Sequence, residues 1–375
     1  MNDTFFNNTP PESEQSSGQS PEQSSGQSIP VIDSVFTAAE EPPRRRRTGG
    51  TPAEVRRLFS RLGLAMLVLT LGRIAGQILL EMILLKAAPS YATEWWGMWL
   101  LSLVPLYGVG LPLMLVVLRK VPTAPHNTDC EWNYATMEKP RFTAKHWVVL
   151  LFIAFGCMQF GSVIGNRIMA MLQLLTGYPY TNSLNTIVSE SPVWATLIGT
   201  CICAPIGEEY IFRKLLIDRT RRYGDTVSIV ISGFFFGLFH GNLFQFFYAF
   251  FFGMVVAYVY TRSGKLKLCI AMHAVVNFMG GVVTSELAAL LPTDVDAVYT
   301  PLQKMASIFL LLWMGGTIIA GSILLLVNWK RRKLSLGETP LFWKNSAFYV
   351  LLNPGMLLNF VAMSFGMAWA LLPAY

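Results

Sequence analysis

Apolar residues fall along this chain in long runs, at about 62–86, 95–118, 147–172, 192–217, 226–241, 244–261, 268–287, 305–328 and 347–372, separated by short polar segments. At 1.5 Å of rise per residue, roughly 20 apolar residues cross the ~30 Å hydrocarbon layer of a bilayer. The pattern therefore predicts an all-α, polytopic transmembrane bundle of about eight to nine helices. The range turns on 226–241, which is short for a crossing. It is joined to its successor by Gly241-Asn242-Leu243, so the two are a hairpin candidate.

The polar positions divide the chain and orient it. Residues 1–43 are rich in Ser, Gln, Pro, Gly and Glu, with EQSSGQS at 14–20 and again at 22–28. Such a segment cannot bury enough apolar surface to offset its ordering entropy, which predicts a disordered tail. The division expected is a low-complexity, basic cytoplasmic tail over 1–57 and a transmembrane domain over 58–375. Alternating the spans from a cytoplasmic N-terminus puts the basic segments 44–61, 119–145, 219–222, 262–267 and 330–344 on one side. The other side receives Lys86 and Lys304, an asymmetry expected of a multi-pass protein of the plasma (cytoplasmic) membrane with its basic loops inside. With nine spans the C-terminus lies outside. Arg44 to Arg47, with Arg56, Arg57 and Arg61, form a juxtamembrane cluster suited to anionic lipid.

Composition adds to this in two ways. With 53% hydrophobic and 14% charged residues, the chain carries too much apolar surface for a water-soluble globule, so lipid is its solvent. The formal net charge of +7 sits in short stretches between apolar runs, as positive-inside loops require, and nucleic acid is not an expected partner. The five cysteines, Cys130, Cys157, Cys201, Cys203 and Cys269, make no CxxC pair and read as packing residues.

Chemistry concentrates in three neighbouring spans. Glu208 and Glu209 stand together in an apolar run, where a charge is costly unless paired or lining a polar cavity. Glu209 and Arg213 are i,i+4 neighbours able to neutralise each other, while Glu208 is rotated about 100° away and lacks a local partner. Two of the four histidines, His126 and His146, belong to the basic loop or its edge. His240 lies one turn after Phe236, and His273 one turn before Asn277. A carboxylate, two imidazoles and an amide facing a dry cavity make a workable hydrolytic centre, with a base for water and donors for an oxyanion. Gly233, Gly237 and Gly241, four residues apart, would let a neighbouring helix approach closely. Depth argues partly against convergence, since Glu208 lies roughly 16 Å from Arg219, His273 about 9 Å from Lys267 and His240 about 22 Å from Asp225 at helical rise. The embedded Arg73, Glu81 and Arg167 are expected in structural pairings, Arg73 and Glu81 being two turns apart.

Glu208-Glu209-xxx-Arg213, Phe236-xxx-His240 and His273-xxx-Asn277, in that order, resemble the three signature motifs of the CPBP family. That family comprises the type II CAAX prenyl endopeptidases and the bacteriocin-processing or immunity proteins. The resemblance spans about 190–285, which would be the catalytic core. It implies that Glu208 with His240 activates water and that His273 with Asn277 stabilises the oxyanion, with Glu209, Arg213 and Phe236 supporting the site. No cofactor is required on that reading. The family is also described as metalloprotease, in which case Glu208, His240 and His273 would hold zinc, although a helical HExxH is missing. The function implied is hydrolysis of a peptide bond in a membrane-associated or prenylated protein or peptide. Two other classes stand beside it: a non-catalytic bacteriocin immunity or membrane scaffold protein, and a proton-coupled carrier. The carrier would call for paired broken helices or an inverted repeat, neither of which is clear.

Overall fold

The computed structural model describes residues 50–124, 142–294, 296–332, 334–341, 344–369 and 371. Residues 1–49 of the expected tail, and the loop holding His126 and Cys130, lie outside these residues; 52–57, expected in the tail, are helical. The rest is a polytopic helical bundle, with no β-strand among the described residues.

Apart from a short helix at Ser183–Glu190 and isolated 3-10 turns, its helices are α1 (Pro52–Ala87), α2 (Trp95–Leu118), α3 (Ala144–Thr176), α4 (193–223), α5 (Asp225–Phe239), α6 (Leu243–Ser263), α7 (Leu266–Ala289), α8 (Pro301–Asn328), α9 (Ser346–Leu351) and α10 (Pro354–Trp369). Each predicted apolar run coincides with one of them to within a few residues at its ends, the last being divided between α9 and α10. The starts are locally encoded. Thr51/Glu54, Thr143/His146 and Thr300/Gln303 form reciprocal capping boxes at α1, α3 and α8, satisfying first-turn N–H groups just where polar chain gives way to apolar. His146 thus serves as a cap.

Six helices, α1, α2, α3, α6, α7 and α8, are long and apolar enough to cross a membrane by length and composition. This makes the chain a multi-pass integral membrane protein. The runs outside that group each have a visible reason. α4 carries Glu208, Glu209, Arg213 and Lys214; α5 has only 15 residues; and the final run breaks at Leu352–Asn353, where Asn353 Oδ1 accepts the Met356 N–H (3.1 Å) and starts α10 afresh. On α4, Trp194, Ile198, Ile202 and Ile206 recur every four residues and are all about half exposed, an apolar face fit for lipid.

The basic segments gather at one end of the bundle. Arg61 Nη1 donates to the Lys120 carbonyl (3.2 Å) and Arg221 Nη2 to the Thr261 carbonyl (2.8 Å). Trp147 Nε1 donates to the Leu268 carbonyl (3.0 Å). The segment after α8 straps onto the start of α5: Asp225 N–H donates to Ser335 O (2.9 Å), Ser335 N–H to Asp225 Oδ2 (2.8 Å), and Thr339 N–H to Arg222 O (2.8 Å). Successive helices therefore run up and down, as the charge pattern requires.

Helix α6 packs between α3 and α5, and glycines set both spacings. A Cβ on Gly161 of α3 would lie 2.5 Å from Tyr248 Cα, and one on Gly165 2.8 Å from Phe244 O. On the opposite side, a Cβ on Gly233 would meet Met254 Cγ at 2.6 Å and one on Gly237 would meet Phe246 O at 2.8 Å. Gly241 departs from the expected packing role. Nothing lies within 4 Å of its would-be Cβ, and its φ of +69° makes it the left-handed residue that turns α5 into α6. Arg73 and Glu81 also depart from the expected pairing: Arg73 Nη1 donates to Gln77 Oε1 (3.3 Å), and Glu81 Oε1 accepts the Tyr91 hydroxyl (3.3 Å).

Candidate active site

Glu208 and Glu209 lie on α4 between two π-helical segments, Leu197–Cys203 and Tyr210–Ile217. Two more π segments, Leu106–Gly110 of α2 and Phe278–Val283 of α7, border the same region. Such widened turns re-aim side chains and recur at functional sites.

The ion pair expected within α4 is present and closed to solvent. Arg213 Nε donates to Glu209 Oε2 (2.8 Å), and both side chains are 0% exposed. Arg213 continues to Ser232 Oγ of α5 (2.6 Å), which itself donates to the Phe212 carbonyl (2.8 Å). The guanidinium also stands over the Phe236 ring, 5.1 Å from its centroid.

Glu209 reaches further than helix support. Its Oε1 lies 2.8 Å from His273 Nδ1 on α7. A carboxylate held by an arginine is an acceptor, so the proton is assigned to Nδ1 and neutral His273 keeps a lone pair on Nε2. That nitrogen lies 3.9 Å from Glu208 Oε2. The Glu208 side chain keeps 13% exposure, against none for Glu209, so of the two carboxylates Glu208 is the one that water can reach.

His240, at the end of α5, has Nδ1 2.7 Å from the Phe236 carbonyl oxygen. A carbonyl only accepts, so Nδ1 carries the proton and Nε2 is left as an acceptor. Phe236 links the two imidazoles, its ring centroid 5.0 Å from that of His240 and 5.7 Å from that of His273, both edge-on. His240 is also within electrostatic reach of His273. The depth conflict is thus met by the turn before His240: Phe236 lies level with His273, and His240 follows one turn on.

Asn277 shares the α7 face with His273, but its Nδ2 donates to the Thr200 carbonyl of the first π segment (2.8 Å). Two tyrosines complete the surroundings. Tyr107 of α2 donates to the Cys203 carbonyl (3.4 Å), and its ring fills the space over Gly207, where a Cβ would come within 2.0 Å of it. Tyr248 of α6 stands edge-on to His240, ring centroids 6.2 Å apart. Both phenols are within electrostatic reach of Glu208. Helical spacing from the glutamates or histidines points to neither. For Tyr107 the one sequence signal is a glycine directly before Glu208, which admits a large neighbour.

A zinc set of Glu208, His240 and His273 is not assembled here. Among the described residues no three His, Cys, Asp or Glu side chains are placed to hold a metal ion. The four described cysteines are free thiols.

Fold and site together define a multi-pass helical membrane protein with a buried acid–histidine–arginine cluster shared by α4, α5 and α7. Residues 190–279, which carry that cluster, match the family model described as type II CAAX prenyl endopeptidase, Rce1-like. That match supports the CPBP/CAAX protease family for this segment, in agreement with the motif resemblance. No curated protein and no solved structure gives a significant match to the chain.

Proposed function

We propose that this chain is an intramembrane endopeptidase that hydrolyses a peptide bond in a membrane-associated or prenylated protein or peptide, using a water activated by Glu208. The observation that carries the reading is the triple arrangement Arg213–Glu209–His273, closed to solvent, beside the accessible Glu208. Such an arrangement holds an imidazole rigidly next to a carboxylate with nothing else to neutralise, which is the preorganisation hydrolysis needs.

In this mechanism a water hydrogen-bonded to Glu208 and to Nε2 of His240 attacks the scissile carbonyl carbon. Glu208 takes the proton as the new C–O bond forms and the carbonyl π pair moves onto oxygen. Collapse of the tetrahedral species breaks the C–N bond, and Glu208 returns the proton to the leaving nitrogen. His273 offers the growing oxyanion an Nε2 proton only as an imidazolium. Asn277, with one N–H on Thr200 O, has its second N–H for the same purpose. The lipid-facing stripe on α4 fits a substrate arriving from the bilayer.

On the same reading 190–285 is the catalytic core of the transmembrane domain, and the basic end of the bundle faces the cytoplasm of a plasma membrane, by the positive-inside rule. The test is cleavage of an internally quenched peptide with a prenylated CAAX tail by the purified chain in liposomes. Wild type cleaves, and Glu208→Ala and His240→Ala each lower kcat by at least about 10²-fold, the usual contribution of a positioned acid–base group. Cleavage retained by both variants would overturn the hydrolase reading in favour of a binding or immunity role.

A further inference from the structure

The turn from α5 to α6 holds a chain of amides whose direction is fixed by the backbone. Asn242 caps α6, its Oδ1 accepting the Gln245 N–H (2.9 Å), which leaves Nδ2 as the atom that faces away. Nδ2 donates to the His240 carbonyl (3.1 Å) and to Gln245 Oε1 (2.7 Å). With its oxygen so occupied, Gln245, a buried residue, presents Nε2 to the next turn and donates to the Tyr248 hydroxyl oxygen (2.7 Å). An amide N–H can only donate, so Tyr248 is here the acceptor, and its own O–H is left to donate. Among the described residues that O–H has no hydrogen-bond acceptor. Residues 242, 245 and 248 lie at successive i,i+3 steps and so on one face. That face carries the phenol to the His240 ring.

The two oxyanion donors expected from the motifs are both committed in part. His273 Nδ1–H donates to Glu209, and Asn277 Nδ2 donates to the Thr200 carbonyl. A neutral donor with no acceptor of its own among the described residues stands beside the His240 ring, at the end of the amide chain.

We infer that Tyr248 is a further catalytic residue of this site, its phenolic O–H donating to the carbonyl oxygen of the scissile peptide as water adds. The inference rests on the endopeptidase reading above. The tyrosine keeps its proton throughout: the hydrogen bond tightens as the carbonyl π pair moves to oxygen, while the proton of water travels by way of Glu208 to the leaving nitrogen. Gln245 and Asn242 are positioning residues, and each donated bond polarises the next, which makes the last O–H a better donor.

The experiment compares wild type, Tyr248→Phe, Gln245→Leu, the double variant and Glu208→Ala on the prenylated, internally quenched peptide in liposomes, with kcat and KM resolved. Tyr248→Phe keeps the ring that stands edge-on to His240 and lacks only the hydroxyl. The expected result is a fall in kcat of about 10²-fold, the usual loss for one oxyanion donor, with KM unchanged. Gln245→Leu lowers kcat in the wild-type background and has no further effect on kcat in the Tyr248→Phe background, a dependence that a purely structural glutamine would not show. Tyr248→Phe within twofold of wild type in kcat, while Glu208→Ala is inactive, overturns the inference and leaves the endopeptidase reading standing. Failure of wild type itself to cleave the peptide overturns both.

Discussion

Replacing Glu209 by glutamine tests the buried charge arrangement directly. The carboxylate accepts from Arg213 Nε (2.8 Å) and, at 3.5 Å, from Arg213 Nη2, and it faces His273 Nδ1 at 2.8 Å. An amide of the same shape keeps one oxygen and turns an NH2 group toward one of those donors. More importantly, it leaves a fully buried guanidinium without its counter-charge. Removing one partner of a buried ion pair typically costs about 3–5 kcal/mol, so Glu209→Gln is expected to lose that much stability. Arg213→Met is expected to lose a comparable amount. With Glu209→Leu as the second single variant, the double Glu209→Leu/Arg213→Met removes both charges, and the expected loss is well below the sum of those two single losses. What remains is the orphaned His273 N–H, worth about 1–3 kcal/mol. The assay is reversible unfolding in mixed micelles on titration with a denaturing detergent, analysed as a double-mutant cycle. A Glu209→Gln loss under about 1 kcal/mol, or strict additivity in the cycle, would refute the reasoning, since neither fits an uncompensated buried cation.

Gly161→Ala must push α3 from the α6 backbone, with an expected loss of about 1–3 kcal/mol in the same unfolding assay. Gly241→Ala strikes nothing and suffers only its left-handed φ, about 1–2 kcal/mol, and Gly241→Asn is expected to lose less. Gly207→Ala collides with the Tyr107 ring, so in the double variant with Tyr107→Leu the loss should fall below the sum of the singles; additive losses would count against that contact. In a cysteine-free background, single cysteines replacing the exposed Arg119, Lys265 and Arg332 are expected to react with a membrane-impermeant maleimide only from the cytoplasmic side. Labelling of any one from outside would contradict the orientation.

Much of this protein is local and was therefore legible along the chain. Whether a segment crosses a bilayer depends on the length of its own apolar run, and the sidedness of its loops on their own charges. Whether Glu209 can reach Arg213, or Phe236 shares a face with His240, follows from the 3.6-residue turn alone. What the chain left open are the relations between helices, because periodicity says nothing of how far one helix slides or rotates against another. Glycine contacts such as Gly161 on Tyr248 and Gly237 on Phe246 set those offsets. They decided that Glu209, expected only to hold its helix, also holds His273; that Asn277 turns to Thr200; and that Tyr107 stands over Gly207 and Tyr248 beside His240. The amide chain from Asn242 to Tyr248 lies between the two cases. Its spacing is written in the sequence, yet its meaning depends on a backbone N–H fixing its direction and on the fold bringing its end to the His240 ring.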